Sequence, residues 1–248
     1  MSEHRIIKSK MKKTVPLLND PILCGHVPET HWFSKDQLEK MLHSHSVVYV
    51  KPDQGRKGLG VRRLKLLSDS ICELSYENTS KQLSFSKAIK KLVSQLDPAK
   101  SYLVQEGIDL ATYDKRPFHI RVVMQKPMNR WQLSIISGIV ARQENAVVTN
   151  GGCGNQELSV EEVLQKNDQE LNPMHTLLQL TDISHQIAYI LGSQLPLLLI
   201  GLDMGIDKKG KVWFIEANTK PDCSGMKNLN DERSYQKYLD FKRWMRKN

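Results

Sequence analysis

The sequence lacks the features that mark a secreted, membrane-spanning or fibrous chain. Its four cysteines, Cys24, Cys72, Cys153 and Cys223, are spaced so widely that no C-x-x-C pair occurs. That excludes a disulfide framework and a zinc-finger spacing, and reduced thiols are expected. Long apolar runs are absent too. The longest, Leu195 to Ile200, contains Pro196 and is far too short to cross a bilayer, and Met1 to Lys13 lacks the apolar core of a signal peptide. No membrane association and a cytoplasmic location are therefore expected. Glycine and proline number only 14 and 10, which excludes a collagen-like or low-complexity chain, and no internal repeat is visible. Acidic residues are the scarcer charge, 27 against 36 Lys and Arg, so the formal net charge is +9 and an anionic ligand or partner is expected. What is present is 40% hydrophobic residues in 248, enough core for one large domain or two small ones.

Along the chain, residues 1–30 mix lysines with Pro16, Pro21 and Pro28, a composition that predicts an extended lead-in, with order beginning near Trp32. Ser34 with Gln37 three residues later fits a capping box, and Leu38, Met41 and Leu42 give one apolar helical face to about His43. Strands are predicted at Val47 to Val50, Val61 to Leu67 and Ile71 to Tyr76, then a helix from Phe85 to Leu96 with Ala88, Ile89, Leu92, Val93 and Leu96 buried. Further strands read at Ser101 to Gln105, Phe118 to Met124 and Leu133 to Val140. The period turns helical from Val160 to Leu195, and two strands, Leu198 to Met204 and Val212 to Ala217, flank the turn Asp207 to Gly210. A helix over Glu232 to Lys247 ends the chain. The alternation predicts an α+β chain with two lobes.

Three constellations carry chemistry. In Val47 to Val61 a buried strand delivers Lys51 to a loop with Gly55, Gly58 and Gly60, which also holds Arg56 and Lys57. Glycines let backbone N–H groups approach phosphate oxygens, and a strand-end lysine adds a point charge. The loop matches neither a Walker motif nor G-x-G-x-x-G, and on these residues alone a flexible hairpin turn is an equal reading. In Ile200 to Pro221, Asp203 lies on one strand and Glu216 and Asn218 share a face of the next, so a hairpin brings three oxygen donors together. Such a set suits Mg²⁺ or Mn²⁺. A solvated hairpin is the alternative, but Glu216 interrupts the apolar run Trp213, Phe214, Ile215 and Ala217, where an unpaired carboxylate is costly. Between them lie Arg121, Lys126, Arg142 and Asn150-Gly151-Gly152, cations at strand ends that alone would read as ordinary surface.

Taken in order, these segments resemble the ATP-grasp superfamily, and more closely its endospore coat-associated YheC/YheD type. The likeness rests on Val50-Lys51-Pro52 with the glycine loop, Val104 to Ile108, Phe118-His119-Ile120-Arg121, Arg142 with Thr149 to Gly152, and Asp203 followed by Glu216 and Asn218, from about Trp32 to Met226. The resemblance implies an ATP-grasp fold, two α+β lobes enclosing the nucleotide: residues 31–107 as the first lobe and 108–248 as the second, with the metal site and the C-terminal helix. It implies that Lys51, Gly55, Arg56, Lys57, Gly58 and Gly60 hold the phosphates, and that Gln105, Glu106, Gly107 and Ile108 line the adenine with Asp109 at the ribose. Lys126 with Arg121 would approach the γ-phosphate, Arg142 and Asn150 would stabilise an acyl phosphate, and Asp203, Glu216 and Asn218 would hold Mg²⁺. Three positions depart from the family pattern: His119 where many relatives carry Asp, Asp222 where many carry Gly, and Gly201 where one branch carries Arg.

The expected function is an ATP- and Mg²⁺-dependent carboxylate–amine ligase acting through an acyl phosphate, on small-molecule or peptide carboxylates and amines. An ATP-binding structural protein of the spore or its coat, without ligase turnover, is the alternative. Nucleic-acid binding is weaker still. It rests on the net charge and the basic tail Lys242 to Lys247, and a basic helix is ordinarily a solvated face.

Overall fold

The computed structural model describes residues 3–77, 79–149 and 154–247. Among the described residues the chain forms an α+β structure with two antiparallel sheets, as the alternation of periods predicts. Helix α1 (Met11–Leu18) stands where an extended lead-in is expected. Its residues Met11, Thr14 and Leu17 recur at a three-residue spacing and are buried, so a helical stripe exists there despite Pro16.

The first sheet holds β1 (Thr30–Trp32), β2 (Val47–Pro52), β3 (Arg62–Ser68), β4 (Ile71–Tyr76), β5 (Thr79–Ser84) and β6 (Tyr102–Glu106), in the order β1-β6-β2-β3-β4-β5. Helices α2 (Lys35–His45) and α3 (Phe85–Ser94) cover it, and Leu38, Met41, Leu42, Val48, Val50, Leu64, Ile89 and Leu92 form its core. The capping expectation holds: the Ser34 hydroxyl accepts from the Gln37 amide at 3.1 Å. Val93, expected in the buried stripe of α3, is 41% exposed. Strand β5 is missed by pattern because its residues, Thr-Ser-Lys-Gln-Leu-Ser, lie on an exposed sheet edge and show no apolar alternation.

The second sheet holds β7 (Thr112–Tyr113), β8 (Arg116–Gln125), β9 (Gln132–Val140), β10 (Gln156–Leu158), β11 (Leu199–Ile206) and β12 (Val212–Asn218), with β10-β9-β8-β11-β12 as its main path. The helical stretch after Val160 is two helices, α4 (Val160–Gln165) and α5 (Pro173–Gln194), the second capped by Asn172, whose side-chain oxygen accepts from the His175 amide. Alternation along the strands sorts the two faces. Ile120, Val122, Leu202 and Met204 pack with Leu17, Leu180 and Ile187 into the larger core, beneath α1, α4 and α5. Val123, Ile135 and Leu199 point the other way, under Cys223 and Met226 of the preceding segment and Tyr238 of the last helix, α6 (Glu232–Lys247). His119, Arg121 and Asp203 lie on that second face, and of these His119 and Asp203 line the space between the lobes.

Residues 4–19 span both lobes. His4 and Ile7 hydrogen-bond to Thr219, just beyond β12, while the Lys10 amide donates to the Asp53 carbonyl and the Met11 amide to the Asp53 carboxylate, just beyond β2. A boundary at residue 30 therefore separates pieces that the hydrogen bonds join, and Leu17, Leu23 and Val27 belong to the second lobe's core.

Candidate functional site

A cleft of about 480 Å³ lies between the sheets. Its floor on the first lobe is the end of β2. The strand alternates, and Lys51 falls on the cleft side, buried to 7% exposure. Its ammonium donates to Gln105 Oε1 at 2.7 Å, and the Gln105 amide donates to Thr30 Oγ1 at 2.8 Å. Burial pushes the Lys51 pKa down to about 8, with Glu216 pulling the other way. After Pro52 the chain turns through Lys57, Gly58 and Gly60, all at positive φ, and Gly55, Arg56, Lys57 and Gly58 line the cleft. Gly60 does not line it, and packs against Pro52.

Strand β6 supplies Gln105 and Glu106, and the following residues Ile108 and Asp109 also line the space. Gly107 takes no part in the lining. Its amide bonds to the Val47 carbonyl, and a Cβ there would stand 2.5 Å from Val47 Cγ1, so only glycine fits this crossing. Asp109, read as the ribose contact, pairs with Lys208 at 2.8 Å.

The second lobe supplies acids. The register places Asp203 opposite both Arg121 on β8 and Glu216 on β12. Arg121 Nε donates to Asp203 Oδ1 at 2.5 Å, and His119 Nε2 lies 3.7 Å from the same oxygen. Burial works to raise the Asp203 pKa, but Arg121 and His119 outweigh it and hold the carboxyl well below the usual range. Asn218 Nδ2 stands 3.4 Å from Asp203 Oδ2. Two carboxylates and an amide make a hard oxygen set. Among the described residues no three His, Cys, Asp or Glu side chains gather into a self-sufficient cage. Asp203, Glu216 and Asn218 could hold a cation such as Mg²⁺ only together with oxygens from water or phosphate.

The structure does not bring every sequence-derived candidate here. Lys126 lies five residues past Arg121, beyond the end of β8, with its ammonium 5.8 Å from the Trp131 ring centre and outside the cleft lining. Arg142 is exposed beside Gly154 and does not line the cleft. Asn150, with Gly151, Gly152 and Cys153, lies outside the described residues. Arg121 sits against Asp203 rather than in the lining itself.

Sequence reasoning missed Lys10. It is 7% exposed, its ammonium donates to the Gly55 carbonyl at 3.1 Å and stands 3.4 Å from Glu216, so it links glycine loop and acidic pair. Lys13, one turn on, donates to the Ile7 carbonyl, and burial pushes it down to about 8. The three-residue spacing of Lys10 with Lys13 alongside Met11 and Thr14 was the available signal. The segment Glu144 to Thr149 also lines the cleft, and Thr149 Oγ1 meets His119 Nδ1 at 2.7 Å.

Known proteins share this architecture. The D-alanyl-alanine synthetase A of Vibrio cholerae is similar over 90% of this chain and 61% of its own, with a TM-score of 0.53 and 11% identity. The ATP-grasp ligase PsnB, solved with a minimal precursor, is similar over 90% of this chain and 57% of its own, with a TM-score of 0.51 and 14% identity. At such identities the likeness shows the fold, which is ATP-grasp. Among curated proteins of Bacillus subtilis, endospore coat-associated protein YheD is 24% identical across 83% of this chain and 46% of its own length. Endospore coat-associated protein YheC is 24% identical across 88% and 61%. The chain thus spans about half the length of the curated relatives it matches. The family described as YheC/D like ATP-grasp matches residues 3–245, and the chain belongs to that family.

Proposed function

We propose that this protein is an ATP- and Mg²⁺-dependent carboxylate–amine ligase that works through an acyl phosphate. The observation that carries the reading is the apposition, across one cleft, of a buried lysine and glycine loop with the acids Asp203 and Glu216. Lys51, Lys10, Arg56 and Lys57 supply cations where triphosphate oxygens would lie, and Gly55 and Gly58 bring backbone without a Cβ into the lining. Asp203, Glu216 and Asn218 would hold the metal, which when bound offsets charge on the phosphates during transfer.

The chain's own residues set the geometry. Gln105 holds the Lys51 ammonium, and Arg121 holds Asp203 in its charged form. Among the described residues Arg121 Nη2 is buried without a hydrogen-bond partner, which would leave a donor for a substrate carboxylate or its phosphorylated form. Arg142 and Asn150 are proposed to approach the same acyl group when substrate is bound. Calorimetry with Mg²⁺ and ATP, repeated on Glu216→Gln, tests the reading: micromolar-range binding lost in the variant is expected, and absence of ATP binding by the parent refutes it. An ADP-release screen with amino-acid and peptide pools tests turnover.

A second reading is favoured by the relatives' names. As an ATP-binding component associated with the spore or its coat, the protein would bind ATP and release no ADP with any pool; amine-dependent ADP release excludes it.

A further inference from the structure

Lys10 stands between the two halves of the site. Its backbone is anchored to the first lobe, where its amide donates to the Asp53 carbonyl, and its side chain reaches the second. The ammonium donates to the Gly55 carbonyl at 3.1 Å and lies 3.4 Å from Glu216 Oε1, and Lys10, Gly55 and Glu216 all line the cleft. The contact is sheltered, since the Lys10 side chain is 9% exposed and that of Glu216 23%. Water screens such a pair less than a bridge on the open surface, so it is harder to displace.

The other acid is claimed in the same way. Arg121 donates to Asp203 Oδ1, and Lys51 acts electrostatically on both carboxylates. Lys10, Lys51 and Arg121 therefore face two acids. A free divalent ion meets carboxylates that already have partners and a local charge that is positive, and it reaches Glu216 only by displacing an ammonium. A polyphosphate reverses that balance. Its oxygens would draw Lys10 and Lys51 as charge-assisted partners, and would also supply the ligands that Asp203, Glu216 and Asn218 lack.

We propose that Lys10 is the resident counter-ion of Glu216: in the nucleotide-free protein its ammonium stands in for a divalent cation, and it gives up the acid only to a polyphosphate. Glu216 is thereby open to a metal in the presence of nucleotide and closed to it otherwise. This rests on the nucleotide site of the proposed ligase and is independent of turnover. Lys10 is a positioning residue in this role, acting through Glu216. The exchange moves one ammonium from a carboxylate to phosphate oxygens, and no covalent bond is made or broken.

Equilibrium dialysis of Mn²⁺ against the protein without nucleotide reads the closed state, and calorimetry of ATP in Mn²⁺ reads the open one. Lys10→Gln should bind free Mn²⁺ about tenfold more tightly than the parent and ATP about tenfold less tightly. A lysine with only a structural role would lower both affinities or neither. Lys10→Arg, which keeps the charge, should match the parent in dialysis. Adding Glu216→Gln to Lys10→Gln should abolish the gain in Mn²⁺ binding, which assigns the gain to this acid. Unchanged or weaker Mn²⁺ binding in Lys10→Gln, or a gain that survives the second substitution, overturns the counter-ion role. If Lys10→Gln does not fold, Lys10→Met keeps the buried stem and is dialysed with the same expectations. A parent that binds no ATP in Mn²⁺ refutes the nucleotide site and the release of Glu216 with it. A parent that binds ATP beside a Lys10→Gln variant that gains no Mn²⁺ refutes the counter-ion alone.

Discussion

Replacing Lys51 by methionine should separate stability from binding. The Lys51 ammonium is buried, and its pKa falls from 10.5 to about 8, so keeping it charged in the folded state costs about 3 kcal/mol at neutral pH. Methionine removes that cost, but it orphans Gln105 Oε1, which loses its donor at a penalty of about 1–3 kcal/mol. The variant should therefore match or exceed the parent in stability at pH 7 by up to about 2 kcal/mol. The sign with pH follows from linkage. Because the folded pKa lies below the unfolded one, the unfolded chain binds more protons between pH 8 and 10.5, and parent stability gains over that window. The difference between parent and variant, from urea unfolding at pH 7 and pH 10.5, should shift by about 3 kcal/mol in the parent's favour. ATP binding should weaken about tenfold to a hundredfold, the loss of one charge-assisted contact. A stability difference that is flat with pH, or unchanged ATP affinity in Lys51→Met, would refute the reasoning.

Three further outcomes follow from the same geometry. Gly107→Ala drives a Cβ to 2.5 Å from Val47 Cγ1 and should cost about 1–3 kcal/mol in urea unfolding; a neutral result would show that β2 and the chain after β6 separate easily. Lys10→Gln removes the cation shared by the Gly55 carbonyl and Glu216, and calorimetry should show ATP affinity reduced about tenfold with the melting temperature little changed. Asp53→Ala frees the Met11 amide and Ser9 hydroxyl, and should destabilise the protein by about 1–3 kcal/mol and raise protection loss first in residues 5–19 by hydrogen exchange.

Much of this was legible in the sequence because it is local. The Ser34 cap, the strand bearing Lys51 and the turn at Asp207 each depend on residues within a few positions. At that turn Asp207 Oδ1 accepts from the Lys209 and Lys211 amides, and Gly210 takes φ +86°. The pairing of Asp203 with Glu216 could be read from hairpin spacing alone. Misread were positions whose meaning is set at long range. Lys10 looks like part of a tail, yet it is 206 positions from the carboxylate it meets. Strand β5 gains its place from β4, not from its own polar residues.

The early segment explains why a cleft with so many cations can stay assembled. Lys10, Lys13 and Lys51 are all nearly buried, and their mutual repulsion opposes bringing the lobes together. Glu216 offsets all three, by contact with Lys10 and electrostatically with Lys13 and Lys51. Backbone amides add attachments: Ile7 to the Thr219 hydroxyl and Lys10 to the Asp53 carbonyl do not depend on charge, and Met11 donates to the Asp53 carboxylate. The cations are thus held near one another by backbone hydrogen bonds on either side and by Glu216, with Asp203 acting on Lys51 and Asp53 on Lys13 as well. An incoming polyanion meets donors whose desolvation and repulsion have been met by folding, so the free energy lost in stability is recovered as affinity. Glu216→Gln should therefore do more than weaken a metal site. It should lower the Lys51 and Lys13 pKa values further and steepen the rise of stability between pH 7 and 9, a change visible in urea unfolding with no nucleotide or metal present. An unaltered pH slope in that variant would place the balancing charge elsewhere.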